Sequence, residues 1–278
     1  MKTIKKALRM CIPALCVLAL FAGPAAAFIV DGDFSASADS AALRTNGTGQ
    51  DWYESRNATP STLLYLDTTN VGLTNDTKKA GFTSSTATNA YSTQEFSTPI
   101  TGTFTAQWQI YVESITNISG TDRTGWMMIG DNSVNTGTDA GRGPNSTAAE
   151  RFVYMAFYKS GGGSTGSMDL VAKTRDDADF AAQTVVASGL SLDTWYTIKV
   201  VCNLATDTYD LYVNDIFKQT VISGALKDSV TDISFAQFND GAGAFFVDNV
   251  SVVPIPGAVW LLGSGLVGLV VIRRRTKK

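Results

Sequence analysis

The chain of 278 residues has no histidine, three cysteines and very little glutamate, which occurs at only four positions. Without histidine, a Ser-His-Asp or Cys-His hydrolase is excluded, as is any zinc, haem or copper site that needs a histidine ligand. Serine and threonine are abundant instead, with 56 residues between them. A sequence rich in these residues and poor in glutamate disfavours helix and suits exposed strands and loops.

Positive charge is scarce in the middle of the chain. The 22 basic and 25 acidic residues sum to −3, but nine of the bases lie in residues 1–27 and 254–278, which contain no acid. Residues 28–253 therefore hold 13 bases and 25 acids, a net charge of −12. This body lacks the positive field that phosphate binding needs, so we expect no nucleic-acid partner. Its length suits one large β domain or two small ones.

Residues 1–27 have the features of a secretory signal peptide. A basic start precedes the apolar run 11–22, and the small residues Ala25 and Ala27 stand before Phe28, the predicted first residue of the mature chain. We expect export through the Sec machinery. Two of the cysteines leave with this segment, so the body can form no internal disulfide, and the strand-like surroundings of Cys202 predict a buried thiol.

The C-terminal residues 254–278 predict a membrane segment. Residues 255–272 form an uncharged stretch of 18 residues, followed by the basic tail 273–278. At ~1.5 Å per residue the stretch spans about 27 Å as a helix, which just matches the apolar thickness of a bilayer. The basic tail should stay cytoplasmic, which places the acidic body outside.

The same tail resembles the PEP-CTERM sorting signal, which combines a Pro-x-Pro motif, a short apolar helix and a basic end. The residues that carry the resemblance are Val253, Pro254, Ile255, Pro256, Arg273, Arg274 and Arg275. It implies a Gram-negative bacterium, processing by an exosortase, transient anchoring in the inner membrane, and delivery to the cell surface or to the extracellular matrix of a biofilm. Ile255 stands where the family usually has glutamate. The alternative is a plain membrane anchor that is never cut.

Patterns typical of β-strands run through the body. Residues 103–113 alternate apolar and polar side chains, residues 151–158 are apolar on both faces, and residues 195–202 and 209–213 flank a short hairpin loop at 203–207. Further strands are predicted at 63–66, 90–96, 126–129, 168–172, 233–238 and 244–252. No amphipathic helix, linker or repeat is evident. The body therefore predicts a single antiparallel β-sandwich, between an N-terminal signal helix and a C-terminal transmembrane helix.

The hairpin DTWYTIKV…DTYDLYVN at 193–214 resembles that of concanavalin A-like and laminin-G-like jelly rolls, and FFVDNVSV at 245–252 suits their closing strand. The resemblance implies a concanavalin A-like jelly roll over residues 28–253. The same ending, together with DGDF at 31–34, also occurs in galactose-binding-like carbohydrate modules, so that sandwich is the alternative fold.

An enzymatic role is disfavoured by the acidic residues. Glycoside hydrolases on this jelly roll place carboxylates on one strand, as E-x-D-x-E, because the reaction needs two of them ~5 Å apart. None of the four glutamates has such partners in sequence. We therefore expect a non-enzymatic surface or matrix protein, which binds extracellular polysaccharide or has a structural role. The alternative is a glycoside hydrolase or lyase.

Two kinds of binding site follow as hypotheses. Sugar binding uses flat aromatic rings beside polar groups, and Trp52, Tyr53, Tyr91 and Trp126 lie near polar loops. A structural calcium ion would suit a secreted chain with many aspartates, since Ca²⁺ takes oxygen ligands. Asp31, Asp33 and Asp248 could hold one if the first and last strands are neighbours, although solvated loop acids explain them as well. No other cofactor is expected.

Overall fold

A computed structural model describes residues 28–44, 52–54, 62–73, 75, 77–85, 88–115, 123–132, 144, 148–159, 166–174, 184–238 and 243–255. The chain divides into two compact units, one of which is Ala27–Val252. The predicted signal peptide at 1–27 and the tail at 256–278, with Ala25, Ala27, Pro256, Arg273, Arg274 and Arg275, lie outside the described residues. Across the described ranges, no helix is long and apolar enough to cross a membrane.

The described residues are mainly β structure. A four-residue helix, α1 (Ser40–Leu43), begins after Asp39, whose carboxylate accepts the amide protons of Ala41 and Ala42 as an N-cap. The strands are β1 (Leu64–Asp67), β2 (Lys79–Thr83), β3 (Ala90–Thr101), β4 (Thr103–Ser114), β5 (Arg123–Gly130), β6 (Arg151–Lys159), β7 (Ser167–Ala172), β8 (Thr184–Ser191), β9 (Trp195–Asn203), β10 (Thr208–Val213), β11 (Ile216–Ile222), β12 (Ser229–Gln237) and β13 (Ala244–Pro254).

The strands form two antiparallel sheets, which together make a β-sandwich and confirm the predicted all-β class. The seven-stranded sheet has the order β1-β2-β13-β4-β9-β10-β11, and the six-stranded sheet has the order β3-β12-β5-β6-β7-β8. The predicted hairpin is present as β9 and β10, paired from Asn203 and Thr208 to Ile198 and Val213. The sequence patterns did not predict the strands β2, β8 and β11.

The main core consists of the side chains at alternate positions along each strand, which point inward between the sheets. Along β9 every second residue is buried, and the buried set includes Tyr196, Ile198, Val200 and Cys202. The Cys202 thiol is fully buried, as predicted, and burial raises its pKa well above the ordinary value. A thiol in this state is a packing group rather than a nucleophile.

The first described residues lie beside the last strand. The Phe28 amide donates to the Val252 carbonyl at 3.0 Å, and the Val250 amide donates to the Gly32 carbonyl at 2.8 Å. A side chain on Gly32 would meet the Val250 carbonyl oxygen at 1.9 Å, so only glycine allows this approach. The segment that carries Asp31 and Asp33 therefore lies beside the last strand, although it is not itself a strand.

Candidate functional site

The four aromatic residues predicted as a sugar platform are all buried. Trp52 and Tyr53 are 2% exposed, Tyr91 is fully buried, and Trp126 is 4% exposed. Trp52 is a core residue, since its ring packs against Phe34 at 5.1 Å and its indole N–H donates to the Asp31 carbonyl. None of the four rings is therefore exposed as a platform, and their role in sugar binding stays a hypothesis.

Tyr91 and Trp126 nevertheless belong to a second apolar cluster, separate from the main core. Its buried members are Tyr91, Trp126, Met128, Tyr154, Ala156, Val171 and Ala236. They lie on β3, β5, β6, β7 and β12, at positions that alternate with core residues such as Phe235 and Met155. We call this side of the six-stranded sheet, which points away from the main core, the outer face.

Aromatic rings form the centre of the outer face. Trp126 stacks on Tyr154 with the ring centroids 5.4 Å apart and contacts Phe238 at 4.7 Å. Tyr91 meets Phe238 edge-on at 5.7 Å. The centre is enclosed, whereas Phe238 and Tyr158 at its margin are partly exposed. Among the described residues of this cluster, Tyr158 and Phe238 are therefore the rings that a ligand could reach.

Cations lie against the tyrosines of this face. The Arg151 guanidinium carbon is 4.2 Å from the Tyr154 ring centroid, and Lys173 Nζ is 5.7 Å from the same centroid. The Arg123 guanidinium carbon is 5.7 Å from the Tyr158 ring. These distances lie within the range in which an aromatic ring attracts a cation.

Carboxylates occupy the other part of the outer face. Asp232 on β12 lies directly opposite Glu95 on β3 in the antiparallel ladder. Asp232 Oδ2 accepts the hydroxyl proton of Thr231, whereas Oδ1 is buried and has no hydrogen-bond partner among the described residues. Tyr53 donates its hydroxyl to Glu95 Oε1 at 3.0 Å.

Burial raises the pKa of Asp232 to about 7, against the opposing hydrogen bond from Thr231. The negative charges of Glu95, Asp131 and Glu150 raise it further. A substantial fraction of Asp232 is therefore protonated at neutral pH. The outer face thus contains a carboxylic acid opposite a second acidic residue, an arrangement that can donate and accept protons.

The predicted calcium ligands do not converge. Asp31 accepts hydrogen bonds from the amides of Ala36 and Ser37 at 2.7 and 3.0 Å. Asp248 accepts from Asn75 and from the hydroxyl of Thr77.

Asp33 is exposed and accepts from the Ser35 amide, and hydrogen bonds from Ser35 lower its pKa. Burial raises the pKa of Asp248 despite its hydrogen bonds. Over the described part of the chain, no three His, Cys, Asp or Glu residues lie close enough to hold a metal ion. The hypothesis of a shared site at Asp31, Asp33 and Asp248 is not supported by this geometry.

Several residues of the outer face could not be recognised from the sequence patterns. The pattern of residues 151–158 predicts apolar side chains on both faces, although Tyr154 and Tyr158 share one face with Arg151 at its edge. The recurrence of tyrosine every four residues in a strand could have indicated an aromatic face. Glu95 and Asp232 could not be paired in advance, because 137 positions separate them and only the sheet order brings them together.

No family model matches the sequence, and no curated protein matches it either. Among solved structures, a sialidase is similar, with a TM-score of 0.53 and 10% identity over 85% of this chain and 19% of that chain. The globular domain of T. cruzi calreticulin has a TM-score of 0.50 and 8% identity, over 78% of this chain and 89% of that chain. An alginate lyase from Zobellia galactanivorans has a TM-score of 0.46 and 15% identity, over 76% and 86% of the two chains.

The chain thus spans about a fifth of the length of the sialidase that it resembles. At these identities the similarity concerns the fold alone. The first two structures share the β-sandwich architecture with this chain.

Proposed function

We propose that this chain is an exported, non-enzymatic protein that binds a glycan on the outer face. The observation that carries the proposal is an aromatic cluster, stacked around Trp126 and Tyr154, that lies beside both cations and carboxylates outside the main core. Sugar rings present C–H groups to aromatic faces and hydroxyl groups to charged or polar side chains. Both kinds of partner are close together here.

Access to the outer face runs along its margin. Glu95, Arg123, Arg151, Tyr158 and Phe238 are each partly exposed, whereas Trp126 and Tyr154 lie beneath them. A sugar that stacks on Tyr158 or Phe238 would have charged groups within reach. The buried rings would then act mainly by holding the marginal ones in place.

Binding of the full-length chain, purified in detergent, to a glycan array tests the proposal. Tyr158→Ala should reduce affinity for the ligands found by about tenfold, because it removes a ring at the margin. Tyr212→Ala is the matched control, since Tyr212 is also partly exposed beside a cation, Lys199, but lies in the other sheet. The proposal fails if no glycan binds, or if the two variants lose affinity equally.

The ends of the chain support a proposed route to this location. The basic and apolar residues of 1–27 favour Sec export, and the sequence from Val253 to the arginine cluster favours PEP-CTERM sorting by an exosortase in a Gram-negative bacterium. The mature protein would then lie at the cell surface or in the extracellular matrix. Mass spectrometry of the native C-terminus tests this route, because recovery of an intact Lys278 on the surface protein would contradict processing.

A second candidate function is cleavage of the bound glycan. The favouring observation is the direct opposition of Glu95 and Asp232, since a glycosidase needs one protonated and one ionised carboxyl group flanking the bond. The absence of an E-x-D-x-E motif does not bear on a pair that comes from two strands. Release of reducing sugars by the native chain, and its loss in Asp232→Asn, would establish hydrolysis and refute the binding-only proposal.

We also propose that the sandwich is of the concanavalin A-like type rather than the galactose-binding-like type. The hairpin of β9 and β10, whose residues carry the first resemblance, supports this choice, and its loop ends at Asp207 with a φ of 53°. The strand order of the two sheets, compared with the orders found in the two types, tests this choice.

A further inference from the structure

We propose that the seven-stranded sheet carries a second glycan-binding site, which takes a chain of neutral sugars along a row of aromatic residues. The row consists of Tyr65, Phe246, Tyr111 and Trp195, and we call it the aromatic row. This inference goes beyond the function proposed above, because it concerns the other side of the sandwich and does not rest on binding at the outer face.

The aromatic row crosses five neighbouring strands. In the order β1-β2-β13-β4-β9, four strands contribute one ring each and β2 contributes Gly81. Tyr65 lies opposite Gly81, which lies opposite Phe246. Farther along the row, Tyr111 lies opposite Trp195. Neighbouring ring centroids are 6.2, 6.1 and 5.5 Å apart. Because β1 and β9 are four strand spacings apart, the row is about 19 Å long.

The four rings point away from the main core. Side chains alternate between the two faces of a strand, and the residues next to the four rings belong to the core, namely Leu64, Phe245, Ile110 and Tyr196. Tyr65 and Trp195, at the two ends of the row, are partly exposed, whereas Phe246 and Tyr111 are 6% and 7% exposed. A ligand would therefore stack on the end rings, which the middle rings support.

Gly81 lets the Tyr65 ring lie flat on the sheet. A Cβ at Gly81 would be 2.5, 2.7 and 2.9 Å from three atoms of this ring. Such similar distances mean that the ring lies face-on over β2, so its opposite face is the one directed away from the sheet. A flat ring in this orientation suits the C–H face of a sugar.

The other end of the row is held by hydrogen bonds. The Trp195 indole N–H donates to the Val71 carbonyl at 3.0 Å, and the Tyr111 hydroxyl donates to Asp193 Oδ1 at 3.1 Å. A Cβ at Gly72 would be 2.8 Å from the Tyr111 ring and 3.2 Å from the Trp195 ring, so the turn at Gly72 packs closely against both. Rings that are already fixed lose little freedom when a ligand binds.

Polar groups for sugar hydroxyls lie beside the row. Gln109 shares a face of β4 with Tyr111, two residues away, and its Oε1 accepts the Asn249 side-chain amide at 2.9 Å. This bond leaves the Gln109 amide nitrogen and the Asn249 amide oxygen unused, so the pair can both donate and accept. Side-chain amides are among the polar groups that orient a ligand in such sites.

The charges around the row favour a neutral ligand. Burial, together with the negative charges of Asp67 and Glu113, raises the pKa of Tyr65 to about 12. Burial, the hydrogen bond to Asp193 and the charges of Asp193 and Glu113 raise the pKa of Tyr111 to about 12. These acids would repel an anionic sugar. They would also repel the same acids of a second copy of this chain, which disfavours self-association through the row.

Titration calorimetry of the full-length chain, in a detergent without sugar groups, tests the inference. The ligands are disaccharides and hexasaccharides of neutral glucan, mannan and xylan, with hexauronates as the acidic comparison. We expect at least one neutral hexasaccharide to bind at least tenfold more tightly than its disaccharide, because a longer chain can contact both ends of the row. It should also bind at least tenfold more tightly than the hexauronates, with an affinity that salt leaves unchanged.

Substitutions at Tyr65 locate the site. Tyr65→Leu keeps an apolar group over Gly81 but removes the flat ring, and it should weaken binding of the neutral hexasaccharide by about tenfold. Tyr65→Phe keeps the ring and should bind within about threefold of the native chain. Tyr212→Leu is the matched control, since Tyr212 is partly exposed on the same sheet but outside the row. Tyr158→Ala, on the outer face, should also leave this binding unchanged.

Thermal melting verifies that each variant is folded. If Tyr65→Leu does not fold, Gly81→Ala replaces it, because a Cβ at this position displaces the Tyr65 ring. That variant should also weaken binding of the neutral hexasaccharide by about tenfold.

The failures of the two proposals are distinguishable. If no neutral hexasaccharide binds, or if Tyr65→Leu and Tyr212→Leu weaken binding equally, the aromatic row is not a glycan site. If Tyr158→Ala weakens binding and Tyr65→Leu does not, the neutral chain binds at the outer face, so this inference is overturned while the function proposed above stands. If hexauronates bind as tightly as the neutral chain and also depend on Tyr65, the neutral class is wrong.

Discussion

Asp232 lies opposite Glu95 across the ladder between β12 and β3, with one carboxyl oxygen buried and unpartnered among the described residues. An acidic pair of this kind is costly to bury when both groups are charged. The cost is reduced if Asp232 keeps its proton, which agrees with a pKa raised to about 7. The pair therefore couples the protonation of the outer face to the stability of the sandwich.

The pH dependence of stability should show this coupling. A carboxyl group whose pKa is raised on folding binds its proton more tightly in the native state, so its contribution to stability is lost as the pH rises. For Asp232 the window runs from 3.8, its ordinary pKa, to about 7. At 1.36 kcal/mol per pH unit, its contribution across the window is at most about 4 kcal/mol.

Replacing Asp232 with asparagine should remove that part of the pH dependence. The free energy of unfolding of Asp232→Asn should therefore increase relative to that of the native chain as the pH rises from 4 to 7. Denaturant unfolding at several pH values measures it, with the exposed Asp228→Asn as control. A constant difference across this range would show that Asp232 titrates normally.

The Asp31 carboxylate should stabilise the N-terminal loop without a metal ion. It accepts two backbone amides and the Ser37 hydroxyl, and hydrogen bonds to a charged group contribute about 1.5–3 kcal/mol each. Asp31→Ala should therefore lower the free energy of unfolding by about 2–4 kcal/mol. Asp31→Asn should cost less, because asparagine keeps one acceptor oxygen and tolerates the φ of 51° at this position.

Calcium provides the check on that interpretation. The native chain should melt at the same temperature in excess calcium as in a chelator. The Asp31→Ala variant should also show no difference between these two conditions, at its own lower melting temperature. A calcium-dependent increase that Asp31→Ala abolishes would restore the metal hypothesis and contradict the role assigned to the loop amides.

Much of the sandwich could be predicted from the sequence because a strand with one wet face has a period of two. β4 alternates between partly exposed and buried residues from Thr103 to Ile110, and its predicted range differs from the observed one by a single residue. The strands that were missed lack that regularity. β2 contains Gly81 beneath the Tyr65 ring, and β8 contains Gly189 with a φ of 67° and shifts in register against β7.

The outer face was harder to predict than the fold because it depends on which strands become neighbours. Trp126 and Tyr154 were each placed in strands, but nothing in either strand indicates that their rings stack. In addition, aromatic residues with similar neighbours in the sequence belong to different buried clusters. Trp52 belongs to the main core, whereas Tyr91, also beside a polar loop, belongs to the outer face.

The edge strand β11 should depend on Lys218 to keep the protein from self-associating. Ile216, Phe217 and Ile222 are each about half exposed or more, and the register against β10 shifts at this lysine. A bulge and a central lysine are features that prevent edge strands from pairing with another chain. Lys218→Ile should therefore increase self-association, measured by sedimentation velocity.

Thr208→Ile is the control for that variant. Thr208 is partly exposed on β10, which has a neighbour on both sides, so an added apolar side chain there creates no free edge. Equal association of the two variants would mean that surface hydrophobicity alone causes the effect, and that Lys218 has no particular role at the edge.

Among the glycines near the acidic pair of Glu95 and Asp232, Gly130 should be the one whose substitution destabilises the fold most. It lies opposite Asp232 in the ladder, and a Cβ at this position would be 1.8 Å from the Glu150 carbonyl oxygen. That oxygen belongs to the backbone and accepts the Asp131 amide at 3.0 Å, so it cannot move without breaking the contact between β5 and β6. Gly130→Ala should therefore destabilise the fold by more than about 3 kcal/mol.

Gly81→Ala is the appropriate contrast. A Cβ there would meet the Tyr65 ring at 2.5 Å, which is the far end of a side chain that can rotate away. We expect a cost of about 1–2 kcal/mol, and a smaller one when Tyr65→Ala is already present. Denaturant unfolding of the three variants measures these values. A larger loss for Gly81→Ala than for Gly130→Ala would contradict the close backbone approach on which the position of Asp232 depends.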